Sequence, residues 1–151
     1  MTSVRFEYAK LPESVNKLYI VRAGRKILSS EGRRYKNDFK LTMGGADRET
    51  FMEFEPVPDA PYILRLWFYL DFNRLYNVTY GSDKRVKSPF ADIDTSNMIK
   101  LIEDCISELT GIRDRNNFSV LAHKRETQGT ERVVAILEPL DLENDPYGFD
   151  R

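Results

Sequence analysis

Asp92 and Asp94 lie in the stretch "ADIDTSNMIKLIED" (residues 91–104), separated by one isoleucine and followed at once by an amphipathic pattern. Two carboxylates this close repel, and one must protonate unless a cation joins them. Oxygen ligands with no neighbouring His or Cys suit Mg²⁺, which takes one or two carboxylates and keeps several waters; Mn²⁺ is the alternative ion. Water held on such an ion can become a nucleophile, and the ion neutralises charge on a phosphoryl oxygen. A third acid, Asp114 in "GIRDRNNFSV", could return toward the pair if the following strand packs back along the helix.

Two other readings compete for these acids. Aspartates before a helix favour its N-terminus, and Asp94 could simply cap it, although that leaves Asp92 without a role. A calcium loop counted from Asp92 would set Asp94, Ser96 and Glu103 at ligand positions. It fails on Asn97 where the turn needs Gly, on the cation Lys100, and on Pro89 where an entering helix should be.

The elements that must hold these residues can be read from periodicity. Residues 95–110 form the best helix, with Met98, Leu101, Ile102, Cys105 and Leu109 on one stripe and Asn97, Lys100 and Asp104 on a polar face. Asp104 follows Lys100 by four residues, the spacing of a surface ion pair. Gly111 ends that helix. Residues 4–9 alternate as a strand, and "LYIV" with "AGRK" reads as strand, turn, strand. Ser29 or Ser30 could cap a second helix over 31–43, weakened by Gly32. "GGADRET" reads as a loop, 61–72 as the clearest strand, and 73–91 as polar and irregular. "FSVLAHKRE" and "ERVVAILEPL" read as two strands of a hairpin around "TQGT". The expected fold is therefore α+β: a mixed sheet with a hairpin and two main helices, over a domain at 1–137 and an acidic tail at 138–151.

With 151 residues, 41% hydrophobic and 31% charged, the chain is sized for one domain with a real core. Its net charge of −1 hides an asymmetry. Residues 21–36 hold six Arg or Lys against the single acid Glu31, whereas 138–150 hold five acids and no base. The basic stretch, with Tyr19 and Tyr35 interleaved, has the composition of a phosphate-backbone contact surface, though such runs are more often plain surface. One cysteine and one histidine, Cys105 and His123, exclude an internal disulfide, a thiolate cage and a zinc site within one chain. No signal-peptide pattern and no apolar run of spanning length is seen, so a cytoplasmic protein with no membrane contact is expected.

The stretches "LPESVNKLYI", "GRKILSSEGRRY", "DIDTSNMIKLIED" and "GIRDRNNFSV" resemble, in order and spacing, the RusA family of Holliday-junction resolvases of bacteria and their phages. The resemblance runs from about residue 11 to about residue 124. It implies a small α+β homodimer that cuts four-way DNA junctions with Mg²⁺ bound by aspartates. Asp92 and Asp94 match the family's paired acids, Asn97 its asparagine, Lys100 its lysine and Asp114 its later acid. Asn16 and Lys17 match the early proline-to-asparagine stretch. Two departures stand out: Thr95 and Ser96 separate Asp94 from Asn97, and Arg113 precedes Asp114 where adjacent acids are common. A register with Asp94 first would put Ser96 in the second acid's place; Asp92 with Asp94 keeps both carboxylates.

On this reading Asp92, Asp94 and Asp114 bind metal, Lys100 contacts the scissile phosphate or assists the leaving oxygen, and Asn97 orients the site. Arg25, Lys26, Arg33, Arg34 and Lys124 are candidate backbone contacts. The expectation is paired nicking of branched DNA in recombination and repair, in a bacterial cytoplasm and with phage origin open. A non-catalytic module that binds branched DNA and an interaction protein working through its acidic tail are the competing readings.

Overall fold

A computed structural model describes residues 2–12, 18–93, 95–146 and 148. Asn16, Lys17 and Asp94 lie outside the described residues. Among the described residues six strands and four α-helices follow one another as β1 (Val4–Tyr8), β2 (Tyr19–Arg22), β3 (Arg25–Leu28), α1 (Ser30–Leu41), α2 (Arg48–Glu53), β4 (Tyr62–Leu70), α3 (Phe72–Leu75), α4 (Thr95–Thr110), β5 (Asn117–Glu126) and β6 (Arg132–Pro139).

β4 organises the main sheet because it is apolar toward both faces. Tyr62, Leu64, Leu66, Phe68 and Leu70 are fully buried on one side, and Ile63 is buried on the other. Such a strand belongs in the interior of a sheet. The order is β1-β6-β4-β5, with β5 parallel to β4 and the other pairs antiparallel. The sheet is thus mixed, as the sequence suggests.

The expected β5–β6 hairpin does not form. β4 inserts between the two strands, pairing Leu66 with Ala122 of β5 and with Ala135 of β6. β5 is mostly exposed, which suits an edge position, and the residues between β5 and β6 pass over the end of β4, where Thr127 donates its N–H to the Leu70 carbonyl at 2.9 Å. The hairpin of this fold is β2–β3, with Arg22 opposite Arg25 and positive φ at both turn residues, Ala23 (52°) and Gly24 (75°). That pattern matches the turn twist that two-residue hairpins favour.

α1 and α4 cover the β1/β6/β4 face. Ser29 caps α1 by accepting from the Gly32 N–H at 3.1 Å. Gly32 has a packing reason: a Cβ there would stand 2.5 Å from Leu28 Cδ1 and 2.9 Å from the Leu18 carbonyl oxygen. α4 buries Met98, Leu101, Ile102, Cys105 and Ile106, and ends at Gly111 with φ 78°. Instead of a loop throughout, "GGADRET" leads into α2, which Asp47 caps through the Thr50 N–H at 2.9 Å. The acidic segment begins inside the sheet, since Glu138 is a β6 residue bonded to Arg65 Nε at 2.7 Å. On the open face Trp67 and His123 stack, 5.6 Å between centroids. Among the described residues no helix is long and apolar enough to cross a membrane.

Candidate functional site

The site gathers on the polar face of α4. Its apolar stripe is committed to the core, so Lys100, Glu103 and Asp104 project away from that stripe. The β2–β3 hairpin packs beside them through Tyr19. The Lys26 ammonium lies 5.3 Å from the Tyr19 ring centroid and the Lys100 ammonium 5.8 Å, so two cations share one aromatic ring. The Tyr19 hydroxyl donates to Asp104 Oδ2 at 3.4 Å. Burial and then the charge of Asp104 push the Tyr19 phenol well above its ordinary range, so it stays a proton donor. The Lys100–Asp104 surface pair expected from spacing is therefore not formed; each residue has Tyr19 as neighbour instead.

Glu103, named from the sequence only as a position of the rejected calcium loop, adds a further acid. It is half-buried and accepts from Asn117 Nδ2 at 3.0 Å, at the start of β5. Burial raises its carboxyl above the usual range; the charges of Asp114 and Asp104 act in the same sense, while Asn117 and Lys100 oppose. Asn117 Oδ1 is buried without a hydrogen-bond partner among the described residues.

Asp114 opens the short 3₁₀ turn Asp114–Asn116 and is exposed. It stands near Glu103 and lines, with Asp104, Ser107, Glu108, Gly111 and Arg113, a cleft of about 380 Å³. This is the C-terminal half of α4. Asp92 is at the other end, exposed on the segment that enters the helix, with Ile93 turned into the core beside it. About 12 Å of helix axis separates Thr95 from Glu103 at 1.5 Å per residue. Asn97 is half-buried in the first turn.

The basic candidates are spread over several surfaces. Arg25 and Lys26 are exposed on β3. Arg33 lines a cleft with Lys36, Lys40 and Glu108, whereas Arg34 lines another with Lys10, Pro12 and Tyr35. Lys36 and Lys40 both pair with Glu108, and together hold its carboxyl below the usual range. Lys124 lies on β5 beside Arg125, near Tyr76 and Phe90. Cys105 is buried, and that burial raises its thiol to about 12, which leaves it chemically inert at neutral pH.

Among the described residues no group of three or more His, Cys, Asp or Glu side chains stands together as a metal cage. Mg²⁺ does not require one, since it is commonly held by one or two carboxylates together with substrate phosphates. Asp92 at the entry of α4 and Asp114 beside Glu103 toward its other end are not brought together among the described residues, although each is an exposed carboxylate of the kind that ion takes. The sequence names Glu103 only as a position of the rejected calcium loop and Tyr19 only as an aromatic in the basic stretch, because the roles they take here come from packing.

No protein-family model matches this chain, and no curated protein matches it.

Proposed function

We propose that the protein is a Mg²⁺-dependent, structure-selective endodeoxyribonuclease that resolves Holliday junctions by paired nicks, as its likeness to RusA resolvases implies. The observation that carries this reading is the shared Tyr19 ring. It sets Lys26 of the basic hairpin beside Lys100, on the helix face that also bears Glu103 and Asp104. Cations suited to a polyanion thus adjoin the carboxylate-bearing face of the helix that Asp92 enters and Asp114 follows, and a metal-dependent nuclease needs both kinds of group.

In this mechanism Asp92, Asp94 and Asp114 would hold the metal, Asp92 from the entry of α4 and Asp114 from beside Glu103 toward its other end, a span that binding would have to close. Bound Mg²⁺ would supply charge neutralisation and a nucleophile at neutral pH. Lys100 holds the scissile phosphate or steadies the leaving oxygen as charge builds on it. Asn97 orients the site from the first turn of α4. Lys26 and Arg25 extend the cationic surface along the DNA backbone, with Arg33, Arg34 and Lys124 as further contacts and Asn16 and Lys17 following the family's early motif. Two such sites in a C2 homodimer would nick opposing strands symmetrically.

Asp92→Asn tests the assignment. The variant removes a metal-ligating charge from an exposed side chain, so it should fold and bind a four-way junction as the parent does, yet lose Mg²⁺-dependent cutting. Full cutting by Asp92→Asn would remove Asp92 from the mechanism. Junction binding without cutting by the parent protein would favour the non-catalytic branched-DNA module.

A further inference from the structure

The segment joining β4 to α4 carries a feature that the metal chemistry does not use. Residues 71–91 begin with α3 and continue as a loop whose neck is closed by hydrogen bonds. Ala91 N–H donates to the Leu75 carbonyl at 2.8 Å, Asn77 N–H to Pro89 at 2.8 Å, and Asn77 Nδ2 to the carbonyls of Ser88 and Phe90, each at 2.9 Å. Tyr76 and Phe90 form an isolated antiparallel bridge. These bonds fix the backbone of Phe90 two residues before Asp92.

Three rings form a row on this neck. Phe72 and Tyr76 lie 4.8 Å apart with planes inclined by 37°, and Tyr76 and Phe90 lie 6.2 Å apart at 41°. The row is half in water: Phe72 is 49% exposed and Phe90 65%. A cleft of about 300 Å³ opens beside it, with Leu75, Tyr76 and Phe90 on one side and Lys124, Arg125 and Glu126 of β5 on the other. Neither Lys124 nor Arg125 is in an ion pair among the described residues. Burying aromatic rings is what folding ordinarily favours, so a rigid row left at the surface next to unpaired cations calls for a ligand with a flat apolar part and an anionic part. A nucleotide has both. Sequence-tolerant binding of unpaired bases uses this combination of aromatic face and basic groove.

We propose that Phe90, backed by Tyr76 and Phe72, stacks on an unpaired base at the branch point of the DNA, while Lys124 and Arg125 hold the adjoining phosphate. The proposal rests on the nucleic-acid reading of the α4 site, and the nearness of Phe90 to Asp92 gives it a purpose. A base drawn onto Phe90 bends its strand where the backbone must approach the carboxylates. Paired duplex offers no free base, so the contact favours branched over linear DNA. Glu126, at the same cleft, would repel phosphate and confine it to the Lys124–Arg125 side.

The experiment is a binding titration by fluorescence anisotropy in EDTA, where cutting cannot occur. A labelled four-way junction and the corresponding linear duplex are titrated with the parent protein, Phe90→Ala, Phe90→Leu, Phe90→Trp and the double variant Lys124→Ala/Arg125→Ala. Phe90→Ala and Phe90→Leu should each weaken junction binding by roughly 5- to 100-fold while leaving duplex binding and the salt slope unchanged. Phe90→Trp should restore it. The double variant should lower the slope of log affinity against log salt by about 1 to 2. Unchanged junction affinity in Phe90→Ala, or equal binding by the Leu and Trp variants, overturns the stacking role; the latter would mark the patch as a general apolar cover, such as a protein-docking surface. Cutting is measured separately with Mg²⁺. A parent that cuts, paired with a Phe90→Ala that binds normally, sinks the stacking role alone; a parent that binds without cutting, with Phe90→Ala weakened, sinks the nuclease reading alone.

Discussion

The ammonium group of Lys100 sits 5.8 Å from the centre of the Tyr19 ring, and this contact, with the Tyr19 hydroxyl's bond to Asp104, joins the principal helix to the basic hairpin. Lys26 approaches the same ring at 5.3 Å, so Tyr19 is the piece that keeps two like charges near each other on one surface. Removing the ring and removing its hydroxyl should therefore have different consequences. Tyr19→Phe keeps the aromatic face and loses only the long bond to Asp104, so DNA affinity should stay within about twofold and stability should fall by less than about 1 kcal/mol. Tyr19→Ala releases both lysines and opens the hairpin contact, and should weaken DNA binding by about tenfold, which is about 1.4 kcal/mol. Titration of both variants against labelled junction checks the contrast; equal losses would show that the hydroxyl and not the ring matters.

Glu103 and Asn117 carry a pH dependence. Because the folded protein raises the Glu103 carboxyl, the folded state binds its proton more tightly than the unfolded chain does. Its contribution is fully present below the ordinary carboxylate range and is lost as pH rises through the raised value. Asn117 Oδ1 is buried without a hydrogen-bond partner among the described residues, and an ionised Glu103 has no proton to offer it. Glu103→Gln keeps the acceptor for Asn117 Nδ2 and supplies a donor to Oδ1, so it should stabilise the protein by about 1 kcal/mol at pH 7, or about 2–4 °C in Tm. The gain should shrink as pH falls and Glu103 of the parent takes up its proton. Thermal melts across this range test it, and a gain that grows toward low pH would contradict the assignment. If Mg²⁺ relieves the same repulsion, millimolar Mg²⁺ should raise the Tm of the parent at pH 7 more than that of Glu103→Gln.

Gly32 offers a test of packing against propensity. Replacing a helical glycine by alanine ordinarily gains about 1 kcal/mol. Here the new Cβ would press on Leu28 and on the Leu18 carbonyl, and overpacking of a filled core costs about 1–3 kcal/mol. Gly32→Ala should therefore lower stability in urea melts, and any increase would mean that α1 and β3 separate more easily than their packing suggests.

Much of this architecture is legible in the residue pattern because it is local. The helix expected over 95–110 is Thr95–Thr110, its stripe of Met98, Leu101, Ile102 and Cys105 is buried, and the strand expected over 61–72 is Tyr62–Leu70. α1 spans Ser30–Leu41 against an expected 31–43, with Ser29 its cap. Pairing is where the pattern misleads. Strands β5 and β6 follow each other in the chain, and proximity argues for a hairpin, but nothing local records that β4, apolar toward both faces, must take the place between them. The candidate site divides in the same way. Lys100 is visible from its helical face, whereas Glu103 becomes an acid of interest only once the 3₁₀ turn at Asp114 and the start of β5 have folded against α4. Asp104 shows the limit of spacing rules, since the geometry gives it Tyr19 and not Lys100.

The acidic C-terminal segment separates the nuclease reading from the tail-mediated interaction reading, provided the cut is placed correctly. Glu138 bonds Arg65, and the Leu140 N–H donates to the Pro61 carbonyl at 3.0 Å, so these residues finish the sheet. Truncation after Leu140 should leave folding and DNA cutting intact. Truncation after Leu137 should lose the Arg65 partner and the end of β6, and lower Tm by several degrees. Loss of DNA activity in the shorter deletion with an unchanged melt would favour the tail as the working part.

The most direct measurement is cleavage itself: a synthetic four-way junction and a linear duplex of matched sequence, each incubated with the parent protein in Mg²⁺ or in EDTA and resolved on a denaturing gel. A Mg²⁺-dependent resolvase should leave symmetric nicks in the junction with Mg²⁺, none with EDTA, and an intact duplex. Equal cutting of the duplex, or no product from the junction in Mg²⁺ under conditions where the protein binds it, would rule out that activity.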